Sequence, residues 1–189
     1  MAAMTPYEPV RRASRILRSG GVVAYPTEGV FGLGCLPGDM AAVARILSIK
    51  HRDPDMGLLL IASCIEQLEP WVDLPQPRPA LESWADRPVT WIVPASAAVP
   101  YWICGKHSGV GVRITAHEVA AALCDAAGSA LVSTSANFSG HPATRNRYVL
   151  RRRFRSLVDC IVPGDCGPAA GPSEIRVLGS DRVVRAAKG

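Results

Sequence analysis

Apolar positions along the chain alternate between two periods. Val10, Ala13, Ile16 and Leu17 recur at helical spacing and stop at Gly20-Gly21, which predicts a first helix ending there. "VVAYP" (22–26) is an apolar run of strand length, and "AAVARILSI" (41–49) returns to the helical period. "LLLIA" (58–62) reads as a strand too continuous for an exposed edge. Ser63 with Glu66, and Thr115 with Glu118, have the spacing of a capping box. The second box opens a helix, "HEVAAALCDAAG", that Gly128 closes. "VTWIVPA" (89–95), "VGVRIT" (110–115) and "ALVST" (130–134) are further strands, with "IVPG" (161–164) as another candidate. The tail alternates about Gly179-Ser180-Asp181 like a β-hairpin. The Pro-rich stretch 75–79 is the most loop-like part and too short to separate two domains. Strands alternating with helices, plus a late hairpin, predict one α/β domain over residues 1–189: a twisted mixed sheet, parallel and antiparallel, flanked by helices.

Composition narrows this only a little. The 48% hydrophobic and 20% charged content suits a globular core. No apolar run approaches the ~20 residues that span a bilayer, and the start has no leader-like apolar stretch, so a soluble cytoplasmic protein is expected. The net charge of +5 permits anionic partners without requiring them. Six cysteines form no C-x-x-C pair. Cys64 and Cys124 fall in helical patterns and are expected to be small reduced core residues. His51, His107, His117 and His141 lack metal-ligand spacing. Trp71, Trp84, Trp91 and Trp102 read as core and loop anchors.

Five stretches could carry chemistry. Lys50 and Arg52 sit between a helix and a core strand. They either neutralise a helix C-terminus, worth ~0.3–1 kcal/mol each, with Asp53 and Asp55 as local counter-ions, or bind an anion. "YPTEGVFGLGC" (25–35) puts Thr27 at a strand end and Gly29, Gly32 and Gly34 just after. It matches neither standard phosphate-loop pattern, and reads as a ligand loop or as a turn with Phe31 and Leu33 in the core. "LVSTSANFSG" (131–140) empties a strand into Ser133, Thr134, Ser135 and Asn137. Those groups suit a phosphate, a ribose or an amino acid, and equally ordinary turn chemistry. "GPAAGPSEIRVLG" (167–179) leads into Ser173 and could close over a site. "RNRYVLRRRFR" (145–155) carries Arg145, Arg147, Arg151, Arg152, Arg153 and Arg155. If helical, it buries Leu150 and Phe154, with Leu157 and Val158 suitably spaced beyond them, and presents a basic face either to water or to RNA.

The order of these signals is more specific than any one of them. Strand-Pro-Thr-Glu-glycine loop, Lys-x-Arg, Val-Thr on a strand, Val-Arg, Ser-Thr-Ser-Ala-Asn and Pro-Ser-Glu-Ile-Arg follow one another here as in the YrdC family. The chain resembles the short, single-domain threonylcarbamoyl-AMP synthase branch of that family over roughly residues 8 to 185. The resemblance implies a YrdC-like fold and synthesis of threonylcarbamoyl-AMP and pyrophosphate from L-threonine, bicarbonate or CO2, and ATP, with Mg2+ carried on the ATP phosphates. The product would pass to downstream threonylcarbamoyl-transferase proteins that modify the tRNA adenosine next to the anticodon.

By the same resemblance, Lys50 and Arg52 position the ATP phosphates, with Ser135 and Asn137 as a Ser-x-Asn pair. Thr90 falls on the nucleotide side of the pocket, and Arg185 is a further nucleotide candidate. Thr27, Arg113, Ser133 and Ser173 fall on the threonine side, where Arg113 would meet the substrate carboxylate. Asp53, Met56 and Arg87 depart from the residues usual beside the pocket. Two rival readings stand beside this one. One is a non-catalytic module that binds tRNA or double-stranded RNA through the arginine stretch. The other is a carbamoyl-adenylate domain of hydrogenase maturation, which normally sits in a larger chain with cysteine pairs absent here.

Overall fold

A computed structural model describes residues 7–75, 81, 86–180 and 182–186. Most of the Pro-rich stretch, Trp84 and Asp181 lie outside the described residues. Helix α1, Glu8–Arg18, opens on Pro9, buries Val10, Ala13, Ser14 and Leu17, and ends where Gly20 takes φ 79°. The chain then enters β1, Val23–Pro26, and turns back as β2, Phe31–Gly34. Helix α2, Met40–Lys50, is capped by the Asp39 side chain, which accepts from the Ala42 amide, and ends at His51 in the left-handed region. A 3-10 turn, Pro54–Met56, leads to β3, Leu59–Ala62. There follow β4, Val89–Pro94; the short α3, Tyr101–Cys104; and β5, Gly109–Ile114. Helix α4, Glu118–Ala127, closes at Gly128 with φ 70° and delivers β6, Leu131–Ser135. Helix α5, Arg147–Phe154, then β7, Cys160–Ile161, and the hairpin of β8, Glu174–Val177, and β9, Val183–Arg185, complete the described chain.

The strands of the described residues form one nine-stranded sheet in the order β7-β1-β2-β6-β3-β5-β4-β8-β9. Pairing is parallel at β7/β1, β3/β5 and β4/β8 and antiparallel elsewhere, so the sheet is mixed as the pattern predicts. Strand alternation sorts the apolar residues onto two faces. Ala24, Leu33, Leu60, Val112 and Val132 pack with Ile46 of α2 and with Leu150 and Phe154 of α5. Val23, Tyr25, Ile61 and Leu131 pack with α1 and α4 on the other face. Register carries that second face onward through Leu59, Gly111 and Arg113, and through Ser133 and Ser135. Here α1 and α4 give way and the side chains turn polar. The candidate functional site lies on this part of the sheet.

Several local expectations change. "FGLG" is not a loop but strand β2. Its glycines follow from close packing: a Cβ at Gly34 would stand 2.6 Å from the Val132 carbonyl oxygen and 2.8 Å from the Tyr25 ring. The Ser63–Glu66 capping box does not form; a 3-10 turn, Ile65–Gln67, starts after Cys64, and the Ser63 hydroxyl donates to Asp125 instead. Cys64 is therefore exposed, not core, whereas Cys124 is fully buried. The Thr115–Glu118 box is also replaced. His117 precedes α4 without a side-chain cap, because the Thr115 hydroxyl is drawn to the buried Glu28 carboxylate, 2.8 Å away. "IVPG" contributes only Ile161 to a two-residue strand. Leu157 and Val158 pack on the core from beyond the end of α5.

Candidate active site

A cavity of about 490 Å3 opens on this face. It is built where the end of α2, the strand ends of β1, β5 and β6, and the lead into β8 converge. Lys50 is the last residue of α2 and is buried, 4% exposed. Its ammonium leaves its own helix and donates to the Ser135 carbonyl (2.5 Å), the Asn137 carbonyl (2.9 Å) and Asn137 Oδ1 (3.1 Å). The Ser135 hydroxyl donates to the same Oδ1 at 2.6 Å, and the Ser139 amide returns a bond to the Lys50 carbonyl at 3.0 Å. Helix-dipole complementarity alone does not describe Lys50: it stands in the last turn of α2, but all three hydrogen bonds go across to the end of β6 and the loop after it. Burial, and then the neighbouring Arg52, push the Lys50 pKa down to about 8.

Arg52 donates to the Gly57 carbonyl through Nε (3.2 Å) and Nη2 (2.9 Å), and burial lowers its pKa. Asp53 and Asp55 are engaged elsewhere. The Asp53 carboxylate accepts from the Asp55 amide at 2.9 Å, and the Asp55 carboxylate accepts from the Tyr101 hydroxyl. Both guanidinium and ammonium thus keep their charge without a carboxylate partner from this turn.

Across the cavity, the Thr90 and Ser173 hydroxyls are 2.7 Å apart. Arg185 donates to the Ser173 carbonyl through Nε (3.1 Å) and Nη2 (2.7 Å), which ties the last strand to the lead into β8. Its pKa is lowered by burial and then by the positive charges of Arg113 and Arg52, so three guanidiniums feel one another here. The Thr27 hydroxyl donates to the Val30 carbonyl at 2.6 Å, leaving its oxygen free to accept. Arg113 meets Glu28 at 3.4 Å, both nearly out of solvent. Burial alone would raise the Glu28 pKa; the Arg113 charge and hydrogen bonds from Thr115 and the Ala116 amide hold it below the usual carboxylate value.

Thr27, Lys50, Arg52, Arg113, Ser133, Ser135, Asn137, Ser173 and Arg185 all border this one cavity. Thr90 stands behind its wall, touching it through Ser173. The arginine stretch lies elsewhere: Leu150 and Phe154 are buried and Arg147, Arg151, Arg152 and Arg155 face solvent. Arg145 has a separate task, donating to the Ala169 carbonyl and, at 2.8 Å, to the Gly167 carbonyl. It clasps the loop that closes one side of the cavity.

One participant, Glu28, escapes a reading by residue type, and Gly29 gains its reason only from the fold. Glu28 sits inside a glycine-rich motif and shows its role only through Arg113. Gly29 is needed because a Cβ there would fall 1.8 Å from the Gly171 carbonyl oxygen. The signal for Glu28 was the arginine in "VGVRIT": a cation on an otherwise buried strand requires a nearby anion. Among the described residues no cluster of three or more His, Cys, Asp or Glu side chains forms a metal cage, and no helix is long and apolar enough to cross a membrane. The arrangement is a cationic, hydroxyl-lined pocket suited to a polyanion carrying a carboxylate.

The Sua5/YciO/YrdC family model, described as "Telomere recombination", matches residues 15–187. The chain belongs to this family. Among relatives, the threonylcarbamoyl-AMP synthase of Alkalilimnicola ehrlichii is 50% identical over 187 residues, covering 96% of this chain and 97% of the relative. That of Nitrosococcus oceani is 51% identical over 170 residues, covering 88% and 91%. A structure of P. abyssi Sua5 bearing H234A and Y235A superposes with a TM-score of 0.86 at 32% identity, covering 94% of this chain. Another, of P. abyssi Sua5 complexed with L-threonine, gives 0.79 at 30% identity and 92% coverage. The chain spans about half the length of that larger family member, 53% and 52% of the two structures.

Proposed function

We propose that this chain is an L-threonylcarbamoyladenylate synthase, a nucleotidyltransferase acting as one domain over residues 1–189. It joins L-threonine, bicarbonate or CO2, and ATP into threonylcarbamoyl-AMP and pyrophosphate. The names of relatives that match nearly end to end support the activity, and the threonine complex of P. abyssi Sua5 supports the amino acid. The observation that carries the assignment to this cavity is the Lys50 junction. It joins the Lys-x-Arg turn to the Ser-x-Asn loop, beside an arginine, Arg113, suited to a carboxylate.

In the reaction the threonine amine attacks CO2, loses a proton to solvent and becomes a carbamate. A carbamate oxygen then attacks the α-phosphorus of ATP; the new P–O bond forms as the α–β bridging bond breaks and pyrophosphate leaves. The substrates supply nucleophile and leaving group, so the protein contributes positioning and charge neutralisation. Lys50, Arg52 and Arg185 offset the triphosphate charge, and Ser135, Asn137 and Thr90 shape the nucleotide end. Arg113 takes the threonine carboxylate, while Thr27, with its hydroxyl hydrogen already committed, accepts from the amine; Ser133 and Ser173 flank it. Among the described residues Asp53 is the one carboxylate on the cavity wall, so Mg2+ would be held chiefly by phosphate oxygens. When bound it would neutralise charge on the leaving pyrophosphate.

The product would serve threonylcarbamoylation of the tRNA adenosine next to the anticodon through downstream transferases in the cytoplasm. RNA contact through Arg147, Arg151, Arg152, Arg153 and Arg155 is a separate reading, favoured only by the exposed basic face of α5.

The test is pyrophosphate release from ATP and Mg2+, with threonine and bicarbonate omitted in turn. Release that needs both small substrates is the expected result. Release independent of threonine, or none at all, would refute the synthase reading.

A further inference from the structure

Arg113 is the cation assigned above to the threonine carboxylate, and the role of its buried partner rests on that assignment. We propose that Glu28 is a positioning residue for Arg113: its buried carboxylate neutralises the guanidinium and holds it at the cavity wall, ready for the substrate carboxylate.

The two residues come from distant parts of the chain, Glu28 from the turn between β1 and β2 and Arg113 from β5. Glu28 is 0% exposed, an environment in which an unpartnered carboxylate is strongly disfavoured. Its Oε1 accepts from the Thr115 hydroxyl at 2.8 Å and the Ala116 amide at 3.0 Å. Those bonds fix the carboxylate from behind, at the end of the strand that carries Arg113. Oε2 is left for Arg113 Nη2 at 3.4 Å.

That contact is an ion pair, not a two-pronged hydrogen-bonded fork, and Glu28 Oε2 and Arg113 Nε make no hydrogen bond at all. The carboxylate therefore offsets the charge of Arg113 and fixes its place without consuming its donors, which a full fork would do. The surroundings make such an anchor necessary. Arg52 and Arg185 border the same cavity, and their repulsion would drive an unanchored guanidinium away from its wall.

The fate of Thr115 fits the same picture. Its hydroxyl serves Glu28 and accepts only a longer bond, 3.3 Å, from the His117 amide at the start of α4.

A purely structural Glu28 would affect folding and leave the kinetics of the folded enzyme alone, so the decisive readout is how the two Michaelis constants respond. Glu28→Gln keeps size and an Oε1 acceptor but removes the charge. In pyrophosphate release, its threonine KM is expected to rise about tenfold with ATP KM within about twofold. Glu28→Asp should recover part of the loss. An unchanged threonine KM, or equal rises for both substrates, overturns the proposal. Should Glu28→Gln fail to fold, Thr115→Val loosens the same carboxylate by one bond. It should raise threonine KM about threefold with ATP KM unchanged, and no selective rise there overturns the proposal.

A wild type that releases no pyrophosphate sinks the synthase reading, and L-threonine binding by calorimetry then decides the positioning role. Weaker binding by Glu28→Gln than by wild type supports it; equal binding, or none by wild type, overturns it.

Discussion

The Lys50 ammonium stands 2.9 Å from the Asn137 carbonyl and 3.1 Å from its side-chain oxygen, so helix α2 and the loop after β6 meet at a single charge. Lys50→Met keeps the stem of that side chain and removes the charge. The Ser135 and Asn137 carbonyls would lose their donor in a partly buried place, at about 1–3 kcal/mol for each group left unsatisfied. Relief of the buried charge offsets part of this, so urea unfolding at neutral pH should show a net loss of about 1–2 kcal/mol, and kcat/KM for ATP should fall at least about 100-fold. An unfolding midpoint equal to wild type would show that the junction does not hold the loop.

The same residue predicts a pH dependence. Burial, then Arg52, bring the Lys50 pKa to about 8 in the folded protein, below its unfolded value near ~10.4. Between these pH values the unfolded chain binds more protons, so this residue's contribution to stability rises with pH across the window. The cost of burying its charge is fully present below pH 8. Activity runs the other way, because triphosphate requires the charge. In the free enzyme kcat/KM for ATP should decline above pH about 8. The decline in kcat should come later, since bound phosphates favour the charged form. Lys50→Arg should move the alkaline limb above pH about 10, as a guanidinium stays protonated there. A limb that stays in place would assign the titration to another group.

How much of this was legible in the sequence depends on the kind of interaction. Strands and helices with a strong apolar period, such as α2, β3, β5 and α4, stand within a residue or two of where the pattern puts them, because burial on a sheet face dictates that period. Strand β2 was hidden: "FGLG" alternates large and absent side chains, and glycine is there to let Tyr25 and the Val132 backbone approach, a reason found only in the neighbouring strands. The capping boxes at Ser63 and Thr115 failed because local hydroxyl bonds lost to distant carboxylates, Asp125 and Glu28. The cavity residues could be gathered only by their order along the chain. Lys50 lies 85 and 87 residues from the groups it binds, a distance on which spacing is silent. Arg145 read as a sixth surface arginine until its contacts with the 167–169 backbone appeared.

The Thr90 and Ser173 hydroxyls form a pair that a double-mutant cycle can isolate. Thr90→Val and Ser173→Ala each remove one side of a buried hydrogen bond, and each should cost about 1 kcal/mol or somewhat more. The double variant should cost less than their sum by about 1 kcal/mol, since both partners of one bond have gone. Arg185 should stay in place in Ser173→Ala, because its shorter bonds go to the Ser173 carbonyl and not to the hydroxyl. The ATP KM of Ser173→Ala should thus rise much less than that of Arg185→Ala. Additive stabilities in the cycle would show that the two hydroxyls do not interact in solution.

The loop over residues 167–171 separates the two roles open to the arginines of segment 145–155. Its Gly167 and Ala169 amides bond the Thr27 and Glu28 carbonyls at 3.0 Å, and Arg145 grips its carbonyls from the other side. Gly171 presses on Gly29 so closely that one added methyl would overlap its carbonyl. Gly29→Ala must therefore lift the loop away from the Thr27 turn and carry Ser173 with it, lowering kcat/KM for threonine at least about 50-fold. Arg145→Ala removes a clasp but no cavity wall, and a loss of about fivefold is expected. Arg151 and Arg152 of α5 and Arg155 just beyond it face solvent, and reversing all three to Glu should leave pyrophosphate release within about twofold of wild type. The same triple variant is the sensitive probe for RNA: binding through this face would fall with it and would weaken steeply with salt in the wild type. A large loss of synthase activity in the triple variant, or none in Gly29→Ala, would reverse the division of labour between the clasped loop and the basic helix.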